Sequence, residues 1–141
     1  MSRRRCRPTS PGCYDERMRK SLVLVICLSA CSAKLSGSIE IDGNKLDISS
    51  CKSGQPMGFA GIELSDAAGK RLRLVANPDG TAQAILFAGE AQGADLGKCG
   101  TIEVHPQNSK INDVTNVEGV AKISCAGEHK LEGTLQFENC H

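Results

Sequence analysis

Residues 120–137, VAKISCAGEHKLEGTLQF, have the features of two β-strands joined by a turn. In the second stretch, KLEGTLQF, Leu135 and Phe137 lie on one face, because side chains alternate between the two faces of a strand. The residues between the two stretches, 126–129, are turn-like, so we predict an antiparallel hairpin here. The same succession of short strands and turns continues from this hairpin towards the N terminus.

Six further stretches with strand character precede this hairpin. Asp42-Gly43-Asn44 lies between the first two and favours a hairpin turn, because Gly and Asn accept positive φ. Asn77-Pro78-Asp79-Gly80 predicts another turn, in which the proline presets φ at the second position. The six stretches are SIEI (38–41), KLDIS (45–49), GIELSD (61–66), RLRLVA (71–76), TAQAILFAG (81–89) and TIEVHP (101–106).

Eight short strands and no convincing helix predict an all-β domain with antiparallel strands. Each strand has one apolar face that must be covered, so we expect a small β-sandwich or a partly open barrel. The 141 residues suffice for one domain. We expect loops at residues 51–61 and 90–100, and a long ordered connection at residues 107–119.

The N-terminal part of the chain has the layout of an export signal. The apolar run over residues 22–28 is shorter than the ~20 residues needed to span a bilayer. Basic residues precede the run and small residues follow it, which is typical of a cleaved signal peptide. Residues 1–17 precede a second methionine, Met18, and we predict that they are a dispensable extension or lie upstream of the true start.

The end of this signal, Leu28-Ser29-Ala30-Cys31, resembles the lipobox of bacterial lipoproteins. The resemblance implies a signal peptide over residues 18–30 and a diacylglycerol on Cys31. The residues after Cys31 are small and polar, so we expect a lipidated tether over 31–37, followed by the β domain over 38–141. Two or more acyl chains hold a protein stably on a membrane, at ~0.8 kcal/mol per buried CH₂. The alternative is an ordinary secretory signal with an accidental cysteine.

The lipoprotein resemblance also implies a location in the cell envelope. Ser32, rather than Asp, follows the lipidated cysteine, which is compatible with the outer membrane in a cell that has one. In general plan the chain is similar to small, uncharacterised β-sandwich surface lipoproteins, including antigenic ones of mycobacteria. That similarity indicates no activity, and no functional residue is assigned from it.

The charge of the exported part argues against nucleic-acid binding. Residues 31–141 contain ten Lys and Arg against 14 Asp and Glu, a formal charge of −4. An acidic domain gains no counterion release from a phosphate backbone. Three phenylalanines are the aromatic residues of this part, so it offers few stacking platforms for bases. We expect a monomer that contacts the membrane through its lipid, with an unknown protein as a possible partner.

Four cysteines remain after the lipidated one, and an even number in an exported domain predicts two disulfides. A zinc site is the alternative, but zinc sites usually contain closely spaced cysteine pairs. Within the predicted hairpin, Cys125 lies beside the turn and Cys140 near the open end. About ten residues at ~3.3 Å each would separate them, whereas bonded cysteines need Cα atoms within ~7 Å.

A second pairing of strands favours one of the remaining connectivities. If TIEVH (101–105) runs antiparallel to GVAKISC (119–125), Cys99 lies opposite Cys125. We therefore favour the disulfides Cys99–Cys125 and Cys51–Cys140.

No established catalytic or metal-binding motif occurs in the chain, and we expect neither a metal nor a cofactor. The histidines His105, His129 and His141 are scattered and read as solvated residues at turns, a strand end and the C terminus. Two segments are candidate binding loops. One contains Asn108, Asn112 and Asn116, whose alternative role is to form Asx-turns within the loop. The other contains Met57 and Phe59, which could form an apolar binding lip or plug one end of the fold.

These features favour a non-catalytic, lipid-anchored β domain that serves interaction or structure. The alternative is a carrier for a small apolar ligand, and an envelope enzyme ranks third. A carrier needs a cavity of several hundred Å³. A partner-binding module should instead expose an apolar patch of a few hundred Å² or more.

Overall fold

The nine strands of the computed structural model belong to one antiparallel sheet within the residues that it describes, 32–89 and 92–141. The extension at 1–17, the predicted signal at 18–30 and the predicted lipidation residue Cys31 lie outside the described residues. A short 3₁₀ helix, Gln55–Met57, follows the third strand. The strands are β1 Lys34–Ile41, β2 Asn44–Lys45, β3 Ile48–Ser53, β4 Gly61–Asp66, β5 Lys70–Ala76, β6 Thr81–Ala88, β7 Ala94–Ile111, β8 Val114–Cys125 and β9 Leu131–Cys140.

The sheet is a meander that curls on itself. Strands β3 to β9 pair consecutively, β1 pairs with the far side of β9, and β2 forms the outermost edge. The curl brings β3 into contact with β8 and β9. The prediction of an all-β antiparallel fold is confirmed, and of its two alternatives the partly open barrel is the one that forms, as a half-barrel.

The inner face of the half-barrel is the hydrophobic core. Alternating residues along the strands other than β2 supply it, and Leu135 and Phe137 of the β8–β9 hairpin are 0% and 3% exposed. Their predicted common face is therefore confirmed. Further fully buried core residues are Ile39, Ile62, Leu64, Leu72, Leu74, Ala82, Ala84, Ala121 and Leu131.

Glycines allow neighbouring strands to approach closely where the sheet bends. A Cβ atom at Gly119 would lie 1.8 Å from the carbonyl oxygen of Glu103 on β7. Gly133 has φ +150, and a Cβ there would lie 2.1 Å from the carbonyl oxygen of Ser38 on β1. Glycines at such kinks give a sheet the curvature that a half-barrel requires.

Both predicted disulfides are confirmed. Cys51–Cys140 joins β3 to β9 across the curl, with Cα atoms 5.0 Å apart. Cys99–Cys125 joins the start of β7 to the end of β8, with Cα atoms 4.9 Å apart. The pairing that placed Cys99 near Cys125 is also observed, because Gly100 lies opposite Ile123 in the β7–β8 ladder.

The N-terminal strands differ from the prediction at two points. The predicted single strand at 45–49 is divided, since β2 pairs with β1 at one edge of the sheet and β3 begins at the other edge. Leu46, between them, is 5% exposed, and its N–H donates to the carbonyl of Ile39. Strand β1 begins at Lys34, within the predicted tether, because its first residues pair with Leu135 to Glu138 of β9.

The predicted long connection at 107–119 was wrong, because β7 and β8 continue through it as a hairpin. A tight turn at Asn112 and Asp113 joins them, and both residues have positive φ, 49° and 64°. Pro106 does not end β7, since it lies beside a register shift, where the sheet tolerates a residue that lacks an N–H. The predicted strand end and loop are thus one long extension of the sheet.

Two predicted loops are shorter than expected. The first three residues of the loop at 51–61 belong to β3, and β7 begins at Ala94, within the predicted loop at 90–100. The glycines in these stretches suggested loops, but tertiary pairing extends the strands into them.

Candidate functional site

A cleft of about 630 Å³ lies at one end of the half-barrel. The loop after β3, the turn between β5 and β6, and the middle parts of β7 and β8 form its walls. Its polar lining includes Gln55, the buried Ser53, the turn residue Asn77, and Glu103 and His105 of β7. Its apolar lining includes Phe59, Ala76, Pro78, Ile102, Val104 and Val117.

The loop between β3 and β4 is held in place by its own backbone. The Gly54 N–H donates to the Gly61 carbonyl at 2.9 Å, which closes the base of the loop. Pro56 lies in the 3₁₀ turn, and Gly58 ends the turn with φ +85. The Ala60 carbonyl accepts from the N–H of Ala76 on β5 at 2.7 Å. The loop therefore forms an ordered side of the cleft.

Arg73 fastens this loop to the outer face of the sheet. Its guanidinium donates two hydrogen bonds to one oxygen of Glu63, at 3.2 and 2.9 Å. The same group lies 4.8 Å from the centre of the Phe59 ring, within the range of a cation–π interaction. It also lies 3.8 Å from the sulfur of Met57.

These contacts place the predicted apolar loop residues at the rim of the cleft. Phe59 is partly buried and contributes to the lining, whereas Met57 is 40% exposed. Neither residue belongs to the core cluster of the half-barrel. The arrangement thus resembles the predicted lip more than the predicted plug.

The three predicted asparagines do not form one site. Asn108 is exposed on β7, Asn112 lies in the hairpin turn, and Asn116 is 3% exposed on β8. The Asn116 amide nitrogen donates to the Ser109 hydroxyl at 2.9 Å. Its Oδ1 is buried and accepts no hydrogen bond, and it is the one buried side-chain N or O atom among the described residues for which this is so. Asn116 thus supports the β7–β8 extension rather than a shared binding loop.

The histidines are held at separate places. His105 is exposed on β7, with Nε2 4.0 Å from a carboxylate oxygen of Glu103. His141 lies next to the Asn139 carbonyl at the C terminus, at 3.2 Å. In the described ranges, no group of three His, Cys, Asp or Glu side chains is arranged to hold a metal ion.

His129 connects two turns at the end of the half-barrel opposite the cleft. Its Nδ1 lies 2.8 Å from a carboxylate oxygen of Asp42, and the Lys130 N–H donates to the other oxygen at 2.9 Å. The His129 contact, followed by the Lys130 hydrogen bond, lowers the pKa of Asp42. This pair therefore stabilises the contact between two turns.

A second, shallower concavity of about 400 Å³ lies on the outer face of strands β7, β8, β9 and β1. Glu103, Glu118 and Glu138 line it together with Lys34 and His105. Lys34 and Glu138 form an exposed ion pair at 3.7 Å, and such pairs contribute little to stability. This surface carries more charged side chains than the cleft, although Glu103 and His105 line both.

Sequence reasoning found one side of the cleft and missed the other. The loop with Met57 and Phe59 stood out because large apolar residues are rare in an exposed Gly-rich segment. Val104 and Val117 were read as ordinary strand and connection residues. The alternation of Ile102 and Val104 indicated that β7 has an apolar face. It did not indicate that this face lines a cleft at one end of the half-barrel.

Comparisons of the chain with protein-family models, curated proteins and solved structures found no match. Across residues 32–89 and 92–141, no helix has the length and apolar character needed to cross a membrane.

Proposed function

We propose that the chain is a non-catalytic, lipid-anchored envelope protein that binds a small, mainly apolar ligand in the cleft. The cleft itself carries this proposal, because ligand sites are typically concave, mostly apolar and roughly 300–1,000 Å³ in volume. The sequence alone favoured a role in interaction or structure. A module that binds a protein partner should expose a large apolar patch. In the described part of the chain, Met57 is the exposed large hydrophobic residue, so the geometry favours the carrier instead.

Two polar residues of the cleft, Ser53 and Asn77, stabilise its walls. Ser53 is 2% exposed, and its hydroxyl accepts the N–H of Gln55 at 3.3 Å. The Asn77 amide donates to the Thr81 carbonyl and hydroxyl, at 3.2 and 3.1 Å. These groups stabilise the loop and the turn, so the walls of the site are preorganised, which reduces the entropy lost on binding.

The anchor rests on the lipobox-like residues and on the oxidised state of the domain. Two disulfides are typical of a protein that lives outside the reducing cytoplasm. A diacylglycerol on Cys31 would hold such a domain at a membrane surface.

Mass spectrometry of the intact protein extracted from native membranes tests the anchor. We expect a chain that begins at Cys31 and carries the added mass of a diacylglycerol. Reduction should add the mass of four hydrogens, because two disulfides open. An unmodified Cys31 would contradict the anchored part of the proposal.

Binding of an apolar fluorescent probe tests the cleft. We expect N-phenyl-1-naphthylamine to bind the full chain carrying Cys31→Ser, which lacks the lipid. Val104→Phe fills the cleft and should weaken probe binding by about tenfold, equivalent to about 1.4 kcal/mol. Val120→Phe is the matched control, because Val120 lines the outer concavity instead. No probe binding, or equal loss in both variants, would exclude the cleft as the site.

A further inference from the structure

We infer that the end of the half-barrel that bears the cleft faces the bilayer carrying the anchor, and that the ligand is an acyl chain of a membrane lipid. The inference rests on the proposed function, since it requires a lipid on Cys31. It adds an orientation, a contact surface and a ligand class to that function.

The first step is the short distance along the chain from the anchor to the sheet. Only Ser32 and Ala33 separate Cys31 from Lys34, the first residue of β1. An extended residue spans at most ~3.6 Å, so three residues of chain reach at most about 11 Å. An anchor at Cys31 therefore keeps the start of β1 close to the membrane surface.

The second step is the position of the cleft relative to the start of β1. Lys34 pairs with Glu138, near the end of β9. Two residues further along β9, Cys140 pairs with Val117, which lines the cleft. Neighbouring strands lie ~4.8 Å apart, so about two strand spacings separate this wall from the start of β1. The cleft is thus at the same end of the half-barrel as the start of β1.

The third step is the apolar character of this end. Met57 projects from the loop at the rim, and 40% of it is exposed. Ile111, partly exposed, lies at the tip of the β7–β8 extension beyond the cleft. At the opposite end, the small residues Ala68, Gly69 and Gly127 are exposed in the turns, and no large hydrophobic residue described there is exposed. The tip of the extension also exposes Lys110 and Asn112, so the apolar contact at the cleft end comes from Met57 and Ile111.

The charge of the cleft specifies the lipid further. Its lining contains one carboxylate, that of Glu103, one imidazole, that of His105, and neither Lys nor Arg. A free fatty acid would therefore find neither Lys nor Arg to pair with its carboxylate, and His105 already lies 4.0 Å from the Glu103 carboxylate. We therefore expect the acyl chain of a neutral or zwitterionic lipid, which reaches the cleft directly from the bilayer.

Single tryptophan reporters test the orientation, because the chain contains no tryptophan. Met57→Trp and Ile111→Trp place an indole at the cleft end, and Ala68→Trp places one at the opposite end. The lipidated full protein carrying each reporter is reconstituted into phosphatidylcholine vesicles, with and without bromine atoms on the acyl chains. Brominated chains quench an indole that touches the bilayer interior.

We expect loss of emission from the two reporters at the cleft end and none from Ala68→Trp. Equal quenching of all three, or quenching of Ala68→Trp alone, would overturn the inference. If mass spectrometry shows the lipid on the protein but no variant is quenched, the inference would also be overturned. The proposed lipid anchor would be retained in that case. An unmodified Cys31 would remove both the anchor and the inference.

The ligand class is tested in the same vesicles. Native mass spectrometry of the protein released from them should show one bound phosphatidylcholine, and Val104→Phe should lose it while Val120→Phe retains it. A protein that binds the naphthylamine probe but carries no lipid would overturn the ligand class and leave the proposed carrier function intact.

Discussion

At the scale of single residues, Arg73 connects the outer face of the sheet to the rim of the cleft. Its partner Glu63 is 6% exposed, and the second arginine nearby, Arg71, lies farther from the carboxylate, at 3.7 Å. Removal of one partner of a buried ion pair leaves a desolvated charge, which is strongly destabilising. The arginine is therefore important both for stability and for the position of Phe59.

We predict that Arg73→Met lowers the free energy of unfolding by about 3 kcal/mol, because the Glu63 carboxylate loses its hydrogen-bonded partner. The control Arg71→Met should lower it by less than about 1 kcal/mol, as expected for a more exposed and more distant partner. Urea unfolding of the Cys31→Ser chain measures both values. Equal effects of the two substitutions would show that the hydrogen-bonded contact of Arg73 with Glu63 contributes no more to stability than the longer contact of Arg71.

Asp79 has a strongly lowered pKa for a residue of an exposed turn. The hydroxyl of Thr81 donates to its carboxylate, the Thr81 N–H donates at 3.0 Å, and Lys98 Nζ lies at 3.4 Å. In that order of importance, these contacts lower the pKa of Asp79 from 3.8 to about 2.

We predict that Thr81→Val raises the pKa of Asp79 towards 3.8, because the hydroxyl is the largest cause of the shift. Carboxyl carbon NMR across a pH titration measures it, and Lys98→Met should produce a smaller change. Because the folded pKa lies below the unfolded one, the turn's contribution to stability is complete above about pH 4. It should be lost as the pH falls from about 4 to about 2, and a pKa near 3.8 in the unsubstituted chain would contradict this.

At the scale of elements, the close approach of β7 and β8 at Gly119 shapes one wall of the cleft. Val104, which lines the cleft, lies opposite Gly119 in the ladder, and the Phe137 ring packs from β9. A side chain at this position would push the strands apart, because the nearest atoms belong to the backbone and cannot rotate away.

We predict that Gly119→Ala destabilises the fold by about 3 kcal/mol, at the upper end of the usual cost of overpacking. Gly127→Ala is the control, because a Cβ atom there meets nothing within 4 Å and its φ is not positive. Its effect should stay within about 0.5 kcal/mol, as for most surface substitutions. Thermal and urea unfolding compare the two, and a neutral Gly119→Ala would show that the strands can move apart freely.

The elements also show where sequence reasoning succeeded and failed. The turn predicted at Asp42-Gly43-Asn44 forms, with positive φ values of 51° at Asp42 and 80° at Gly43. Asn44, which was expected to accept a positive φ, belongs to β2 instead. The β7–β8 extension was missed, because Pro106 and three asparagines resemble a loop when each is judged alone. Pairing between two strands of 18 and 12 residues outweighs these local preferences.

At the scale of the whole molecule, the two disulfides have different roles. Cys51–Cys140 spans 89 residues and holds β3 against β9, next to the cleft. Cys99–Cys125 spans 26 residues and lies towards the opposite end. A disulfide stabilises the fold by lowering the entropy of the unfolded chain, and this effect grows with the length of the closed loop. We therefore expect about 4.6 kcal/mol from Cys51–Cys140 and about 3.5 kcal/mol from Cys99–Cys125.

We predict that Cys51→Ala with Cys140→Ala destabilises the Cys31→Ser chain by about 1 kcal/mol more than Cys99→Ala with Cys125→Ala. At a temperature where both variants are folded, the first should lose binding of the naphthylamine probe and the second should retain it. Urea unfolding and probe titration measure the two effects. Retained binding in the first variant would mean that the curl, and hence the cleft, forms without the covalent link.

Sequence alone determined the fold class, the turns at residues 42–44, 77–80 and 126–129, and the pairing of the cysteines, but not the turn at Asn112 and Asp113. These properties follow from alternation over two residues, from the backbone preferences of Gly, Asn and Pro, and from the limited reach of a cysteine pair. The tertiary structure decided that β2 and β3 lie at opposite edges of one sheet and that the loop after β3 shares a cleft with the middle of β7 and β8. That outcome depends on the curl of the sheet, which arises from contacts between strands far apart in the chain and therefore leaves no local pattern in the sequence.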